Sequence, residues 1–406
     1  MKYIIVLCDG MADEPLGELG GKTPLGAAKT PNMDVLAPKS EIGMVRTVPE
    51  GMAPGSDTAN LSVIGYDPRR YYTGRSPLEA LSIGVDMEPS DVAFRCNLVT
   101  LTEEQDTYED RIITDHSSGE ISTEDASVLM DALKKGLARE GYEFYVGTSY
   151  RHLLVQKQGK VVELTPPHDI LTRRIGDYLP KEPVLREMME KSYEILSLHP
   201  LNIERKKNGK NSANSAWFWG AGTRPALTSF EEKNKKRGAM ISAVDLLKGI
   251  AAGAGMHNIP VKGANGGLDT NYAGKAQAAV DALLREGYDF VYIHIEAPDE
   301  MGHQGSAENK IKAIENIDAY IIGSVTEALK AAGEEFRMLI LPDHPTPVRI
   351  RTHTKDPVPY LLYDSRHTFK GMREYNEETA SQTGILEEEG YTLITHLFDC
   401  SLAELS

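Results

Sequence analysis

Three short apolar runs, each leading straight into acidic or imidazole residues, set the strongest limit on what this chain can become. They are Tyr3-Ile4-Ile5-Val6-Leu7-Cys8 before Asp9, Phe290-Val291-Tyr292-Ile293-His294-Ile295 before Glu296 and Asp299, and Met338-Leu339-Ile340-Leu341-Pro342 before Asp343-His344. Continuous runs of this length suit strands covered on both faces, as in a parallel sheet. Helical spacing at 242–255, 274–286 and 307–332 lies between them, and strands alternating with helices predict a doubly wound α/β domain. In such a sheet ligands gather beyond the carboxyl ends of the strands, where these acidic residues emerge. One strand-end Asp alone reads as a turn or a helix cap. Three at one edge point to a site.

The middle of the chain follows another grammar. Short alternating segments (94–101, 111–114, 142–147, 152–156 and 161–164) and two helices, about 122–139 and 182–197, predict an α+β unit inserted into the first. Ser122 stands three residues before Asp125, the spacing of a capping box with Asp in the acceptor position. The expected division is 1–84 with 236–406 for the catalytic domain and 85–235 for the insertion. The polar stretches Arg205–Ser212 and Glu231–Arg237 read as a loop and a return linker carrying solvated charge. The tail beyond about 364 reads as a helix and a strand returning to the sheet, with His367 and His396 structural.

A chain of 406 residues has room for two domains. With 44 basic against 60 acidic side chains the formal charge is -16, which disfavours nucleic acid as a partner. An anionic substrate then requires a local island of cations. Three cysteines, Cys8, Cys96 and Cys400, are too few and too scattered for a disulfide framework or a thiolate zinc site. The run Tyr3–Cys8 is far shorter than a signal segment or a membrane span, so a cytoplasmic protein without membrane attachment is expected.

Asp299 and His303 are four apart, so a helix would present both on one face to a single divalent ion. Asp343-His344 and His353 add oxygen and imidazole donors of the kind that suit Mn or Zn, or Mg where carboxylates dominate. Asp9 adds another carboxylate. In Gly55-Ser56-Asp57, Gly55 permits a tight strand-to-helix turn that sets the Ser56 hydroxyl at a helix start, where phosphate oxygens are stabilised; alone, the segment reads as a helix cap. A serine hydroxyl becomes nucleophilic at neutral pH only with a base or a dication beside it. Gly17–Thr23 mimics a P-loop, but Gly17 precedes Gly21 by four positions instead of five, so no nucleotide site follows.

The ordered set Asp9-Gly10, Lys29-Thr30-Pro31-Asn32-Met33-Asp34, Gly55-Ser56-Asp57, Glu296-Ala297-Pro298-Asp299 through Gly302-His303, Asp343-His344, and Thr352-His353-Thr354 with Pro357-Val358-Pro359 resembles the cofactor-independent phosphoglycerate mutases of the archaeal type, within the alkaline phosphatase superfamily. The resemblance implies an alkaline-phosphatase-like α/β fold with an inserted cap. It implies two divalent ions, manganese by preference, one on Asp299, His303 and His353 and the other on Asp9, Ser56, Asp343 and His344. It also implies that Ser56 accepts the phosphoryl group of 3-phosphoglycerate and returns it to the 2-hydroxyl, a step of glycolysis and gluconeogenesis.

The implied cap acts as a lid against water, and cations are expected to hold the small anionic substrate: Arg95, Arg151 with His152, and Arg224, with Arg75 and Lys275 from the first domain. The same resemblance leaves open a homoserine kinase-like phosphotransfer. A sulfatase is disfavoured because no Pro and Arg follow Ser56 in the required pattern, and a purely structural metal protein has no need of an aligned serine.

Overall fold

The computed structural model describes residues 1–366 and 371–399; His367 and Cys400 lie outside the described residues. The chain forms two compact units. The first comprises Met1–Tyr72 and Leu227–Ser406, and the second is Thr73–Ala226.

In the first unit the apolar runs become the strands Lys2–Cys8, Phe290–Ile295 and Phe336–Leu341, the first lying between the other two and parallel to both. Gly238–Ile241 and His257–Asn258 extend the parallel arrangement on one side. On the other side come Val358–Asp364, the one antiparallel member among the described strands of this sheet, then Ser40–Val45 and Leu386–Glu387. Ile4 to Cys8 are fully buried, as a strand with helices on both faces demands. Each such Ile or Leu contributes about 1.5–3 kcal/mol relative to exposure.

Register then fixes the site. Cys8 pairs with Ile295 and Leu7 with Leu341, so Asp9, Glu296 and Asp343 leave the sheet at the same edge. Helix Tyr272–Leu284 is capped by Asn271, whose side chain accepts from Gly274 N. The helix expected over 307–332 is continuous but not uniform. Ala307–Ile317 passes through a π-helical stretch, Asp318–Gly323, into Ser324–Ala331. Asp318 at this widening accepts from Asn32 N and Met33 N, at the start of helix Pro31–Leu36.

The second unit is an antiparallel sheet. Val92–Leu101 is its centre, with Arg151–Gln156 on one side, Ser215–Thr223 on the other and Ile113–Asp115 at its end; Tyr142–Thr148 lies outside Arg151–Gln156. Helices Thr123–Gly136 and Pro183–Ser197 share its core, with Leu129, Met130, Leu185 and Met189 among the buried residues. Ser122 caps the first as expected, accepting from Asp125 N at 3.2 Å.

Four sequence expectations need correction here. Residues 161–164 form no strand: Val161 is exposed and their backbone joins no sheet ladder. Strand Ser215–Thr223 was not foreseen, because its Trp-Phe-Trp run breaks into glycine and alanine. Arg205–Lys207 end a helix, Pro200–Lys207, and Arg205 is buried instead of solvated. Glu231 and Glu232 belong to helix Phe230–Asn234.

The unit boundary also moves from 85–235 to 73–226. Helix Arg75–Ser82 belongs to the second unit because Ser76 Oγ donates to Gly220 O and Glu79 pairs with Arg95 at 3.0 Å. Phe230 belongs to the first because it stacks on Phe290 at 5.0 Å.

Candidate active site

Helix Ala297–Gln304 starts one residue after Glu296 and carries Asp299 and His303 on one face, as their spacing requires. His303 Nε2 lies 3.2 Å from Asp299 Oδ2 and 3.0 Å from His353 Nε2, and His353 Nε2 lies 3.3 Å from Asp299 Oδ1. The three expected ligands of one ion are therefore together. In the second set His344 Nε2 lies 3.3 Å from Asp343 Oδ2, 3.7 Å from Asp9 Oδ1 and 3.1 Å from Ser56 Oγ. Donor atoms of Asp9, Asp343 and His344 fall within 4.8 Å of one another, and so do those of Asp299, His344 and His353. His344 is thus common to both groups, and its ring stacks on His353 with centroids 3.9 Å apart.

Ser56 opens helix Ser56–Val63, with Gly55 in the cap position. Its hydroxyl faces His344, so it does not cap its own helix. Asn60, one turn on, fastens the helix to the site by donating to Ser56 O at 2.8 Å and to Asp343 Oδ2 at 2.9 Å. Tyr292 OH donates to Asn60 Oδ1 at 2.6 Å. Gly10, at φ +62°, brings its N–H to Asp343 Oδ1 at 3.1 Å; a Cβ there would stand 2.5 Å from Asp299 Oδ1, so only glycine permits the approach.

The electrostatics call for cations. Burial pushes the Asp9 carboxyl well above its usual range, and the neighbouring Asp343, Asp299 and Glu296 push the same way. Burial opposes charge on Asp299 too, but hydrogen bonds from His303 and His353 outweigh it and hold Asp299 well below the usual carboxylate range. The Asp299 contact in turn pushes His303 up to about 9. Burial lowers His344. Asp9 Oδ1 is buried and has no hydrogen-bond partner, a costly state for a carboxylate oxygen unless a cation meets it. Carboxylate oxygens and imidazole nitrogens gathered around that orphan oxygen are a donor set for Mn²⁺ or Zn²⁺.

Several residues that hold this arrangement escaped the sequence reading. His294 Nε2 lies 2.9 Å from Asp9 Oδ2, and His294 Nδ1 lies 3.2 Å from Ser242 Oγ. Burial pushes His294 down to about 3, which keeps it neutral. A polar residue inside an otherwise apolar buried strand was the signal that could have found it. Asn60 was legible by its distance of one helical turn from Ser56. Thr346 and Ser242 carried no signal in sequence.

The expected substrate cations are placed unevenly. Arg95 is 8% exposed, paired with Glu79 and set over the Trp219 ring at 4.5 Å. Burial lowers it, and Arg75 and Arg151 lie close enough to add to that effect. Arg151 is exposed over Tyr150, at 5.5 Å. Arg224 donates to Met87 O at 2.8 Å and reaches Asp86 at 3.4 Å.

Two of the expected residues are enclosed. Lys275 belongs to the first unit but is fully enclosed, with Nζ donating to His294 O at 2.9 Å. His152 is 2% exposed, and its Nδ1 accepts from Gly147 N at 3.1 Å. The Lys275 amine is taken up within the fold, whereas His152 Nε2 is buried with no hydrogen-bond partner. No helix among the described residues is long and apolar enough to cross a membrane.

Comparison with known proteins narrows the meaning of this geometry. Residues 37–202 match the family model described as 2,3-bisphosphoglycerate-independent phosphoglycerate mutase. A probable mutase of that name from Geobacter sulfurreducens is 48% identical over 404 residues, covering 98% of this chain and 100% of the relative. A Methanosarcina barkeri mutase of that name is 49% identical over 391 residues, covering 95% of this chain and 96% of its own.

Among solved structures, a Pyrococcus horikoshii protein aligns with a TM-score of 0.81 at 30% identity, covering 98% of this chain and 96% of its own. The cofactor-independent phosphoglycerate mutase of Thermoplasma acidophilum aligns with a TM-score of 0.65 at 30% identity, covering 98% of this chain and 99% of its own. Agreement at this identity over nearly the full length of both sequences carries the expected resemblance through to a firm assignment: the chain belongs to the 2,3-bisphosphoglycerate-independent phosphoglycerate mutase family.

Proposed function

We propose that this protein interconverts 3-phosphoglycerate and 2-phosphoglycerate through a phosphoserine on Ser56, without bisphosphoglycerate. The observation that carries the reading is the Ser56 hydroxyl at a helix start, 3.1 Å from His344 Nε2 and among the converging carboxylates and imidazoles. Asp299, His303 and His353 would hold one dication and Asp9, Ser56, Asp343 and His344 the other, His344 being common to both groups of donor atoms. Manganese is the ion we assign, with zinc or magnesium as substitutes to test. Bound there, two dications acidify the serine hydroxyl and neutralise charge on the phosphoryl oxygens.

Ser56 Oγ, having lost its proton, attacks phosphorus as the bond to the 3-oxygen of glycerate breaks, and that oxygen takes up a proton. Glycerate turns within the site. Its 2-hydroxyl gives up a proton and attacks the phosphoserine, and Ser56 recovers its hydroxyl. Gly10 N and Asn60 Nδ2 fix both Asp343 oxygens, so the carboxylate cannot rotate during the exchange. Water must be kept from the phosphoserine, or the product is free phosphate. For the substrate carboxylate we assign Arg151 and Arg95: Arg95 shares the Glu79 carboxylate with Arg75, and Arg151 lies close enough for its charge to act on Arg95. Arg224, held by Met87 O, is the weaker contributor.

The test incubates purified, manganese-loaded protein with 3-phosphoglycerate alone. Formation of 2-phosphoglycerate supports the reading. Release of inorganic phosphate alone overturns it, as does phosphohomoserine formed from homoserine and ATP in the parallel reaction.

A further inference from the structure

Asp9, Asp299 and the Asp343-His344 pair come from three different segments of the chain, and the Thr346 side chain touches both Asp299 and His344. We propose that Thr346 is a positioning residue that ties the two donor groups together and fixes the His344 ring with Nε2 bare. The proposal rests on the two-cation reading above.

Thr346 is fully buried. Its hydroxyl has a single hydrogen, and it lies against Asp299 Oδ1, which as a carboxylate oxygen can only accept. The Thr346 hydrogen is therefore directed to Asp299. The same hydroxyl oxygen lies 3.3 Å from His344 Nδ1. With its hydrogen already donated it can only accept there, so Nδ1 carries the ring hydrogen. In a neutral imidazole the other nitrogen is then unprotonated. That nitrogen, Nε2, is the atom facing Ser56 Oγ, Asp343 Oδ2 and Asp9 Oδ1. One hydroxyl thus prepares a lone pair for one cation while steadying the carboxylate of the other.

The backbone of Thr346 is held as firmly as its side chain. Its carbonyl accepts from Lys310 Nζ at 2.9 Å, and the same fully buried ammonium bonds Ala12 O at 3.1 Å and Asp13 Oδ2 at 2.7 Å. Thr346 N donates to Ala12 O at 3.2 Å. The loop that follows Asp9 and the loop that follows His344 are therefore clamped to one amine. A Cβ on Gly302, in the Asp299 helix, would stand 2.4 Å from Thr346 O, and one on Gly10 would stand 2.6 Å from Thr346 Oγ1. All three segments close directly on this residue. Partners of this kind that orient ligands typically change metal affinity by 10–100-fold when removed.

The experiment compares chelator-stripped wild type, Thr346→Val, which keeps shape and loses the hydroxyl, and Thr346→Ser, which keeps the hydroxyl and loses the methyl. Ring ¹⁵N shifts of His344 are recorded on the metal-free proteins, and Mn²⁺ affinity is measured by calorimetry. We expect an Nδ1–H ring in wild type and in the serine variant, and a mixed or Nε2–H ring in the valine variant with Mn²⁺ bound about 10–100-fold more weakly. An unchanged ring and unchanged affinity in Thr346→Val overturn the proposal. Equal losses in Thr346→Ser overturn it too, by assigning the effect to packing of the methyl group. Wild type that fails to take up a pair of Mn²⁺ ions defeats the two-cation reading instead, and the metal-free ring shifts still decide the role of Thr346.

Discussion

Arg205 and Asp9 are both charged side chains taken out of water, and they differ in how their surroundings answer them. Arg205, in the second unit, is 5% exposed and fully answered: Nε donates to Asn211 O at 3.1 Å, Nη1 to Asp125 at 2.8 Å and Nη2 to Ser118 O at 2.9 Å. Asp9, in the first unit, is 2% exposed, has one oxygen on His294 and leaves the other with no hydrogen-bond partner. Around Arg205 the fold completes its own hydrogen bonding. Around Asp9 it gathers further negative charge, from Asp343, Asp299 and Glu296. A buried charge answered within the protein belongs to stability, whereas one left open among like charges belongs to ligand binding.

The largest test of that contrast is chemical. Ser56→Ala should lower conversion of 3-phosphoglycerate by at least about 10³-fold, since a covalent scheme has no substitute for its nucleophile. Mn²⁺ content should stay largely intact, as three other donors remain on that side. Turnover near the wild-type rate would remove Ser56 from the chemistry.

On the stability side, Arg205→Met strips a buried cation from its partners and should destabilise the second unit by about 3 kcal/mol. Both tryptophans of the chain, Trp217 and Trp219, lie in that unit, so their fluorescence in a urea titration reads it selectively. Mn²⁺ affinity should not change. If it falls with the Trp signal, the two units are not energetically separate and the contrast between them is lost.

Removing metal is the converse. At a free concentration 100 times the dissociation constant, each bound ion adds about 2.7 kcal/mol to the unit that holds it. Chelation should therefore increase amide exchange around Asp9, Asp299 and Asp343 while leaving the urea transition reported by Trp217 and Trp219 in place. Loss of protection spread evenly over both units would contradict the assignment of the ions to the first.

The sequence was informative where one residue or one strand decides the outcome. The buried runs announced the parallel strands, and the four-residue spacing of Asp299 and His303 announced a shared helical face, because both depend on local periodicity. It was silent where the outcome depends on packing between distant segments. Arg205 sits in a run of basic and polar residues indistinguishable from a solvated loop, and only the folded unit supplies Ser118, Asp125 and Asn211 to bury it. Lys275 looked like a substrate cation and is enclosed under strand Phe290–Ile295. Ser242 and Thr346 are ordinary hydroxyl residues in sequence, and their importance comes from neighbours that only the fold supplies, His294 for Ser242 and Asp299 with His344 for Thr346.

The smallest predicted effect follows from the first of those pairs. Ser242 Oγ accepts from Val244 N at 3.0 Å, so its own hydrogen is free for His294 Nδ1 at 3.2 Å. Asp9 Oδ2, as the oxygen of an ionised carboxylate, can only accept, so His294 Nε2 carries the ring hydrogen and donates it, which leaves Nδ1 to accept from Ser242. The chain Ser242 to His294 to Asp9 orients a proposed ligand through two hydrogen bonds, with the Lys275 ammonium fixing the His294 backbone. Ser242→Ala leaves the imidazole in place but releases its tautomer, at a cost of about 1 kcal/mol, the net worth of one hydrogen bond. Mn²⁺ should bind about fivefold more weakly to that variant in a calorimetric titration, with the Trp217 and Trp219 transition unmoved. Unchanged affinity would mean that packing around the buried His294 ring holds Asp9 without help from Ser242, and the orienting chain would shorten to His294 alone.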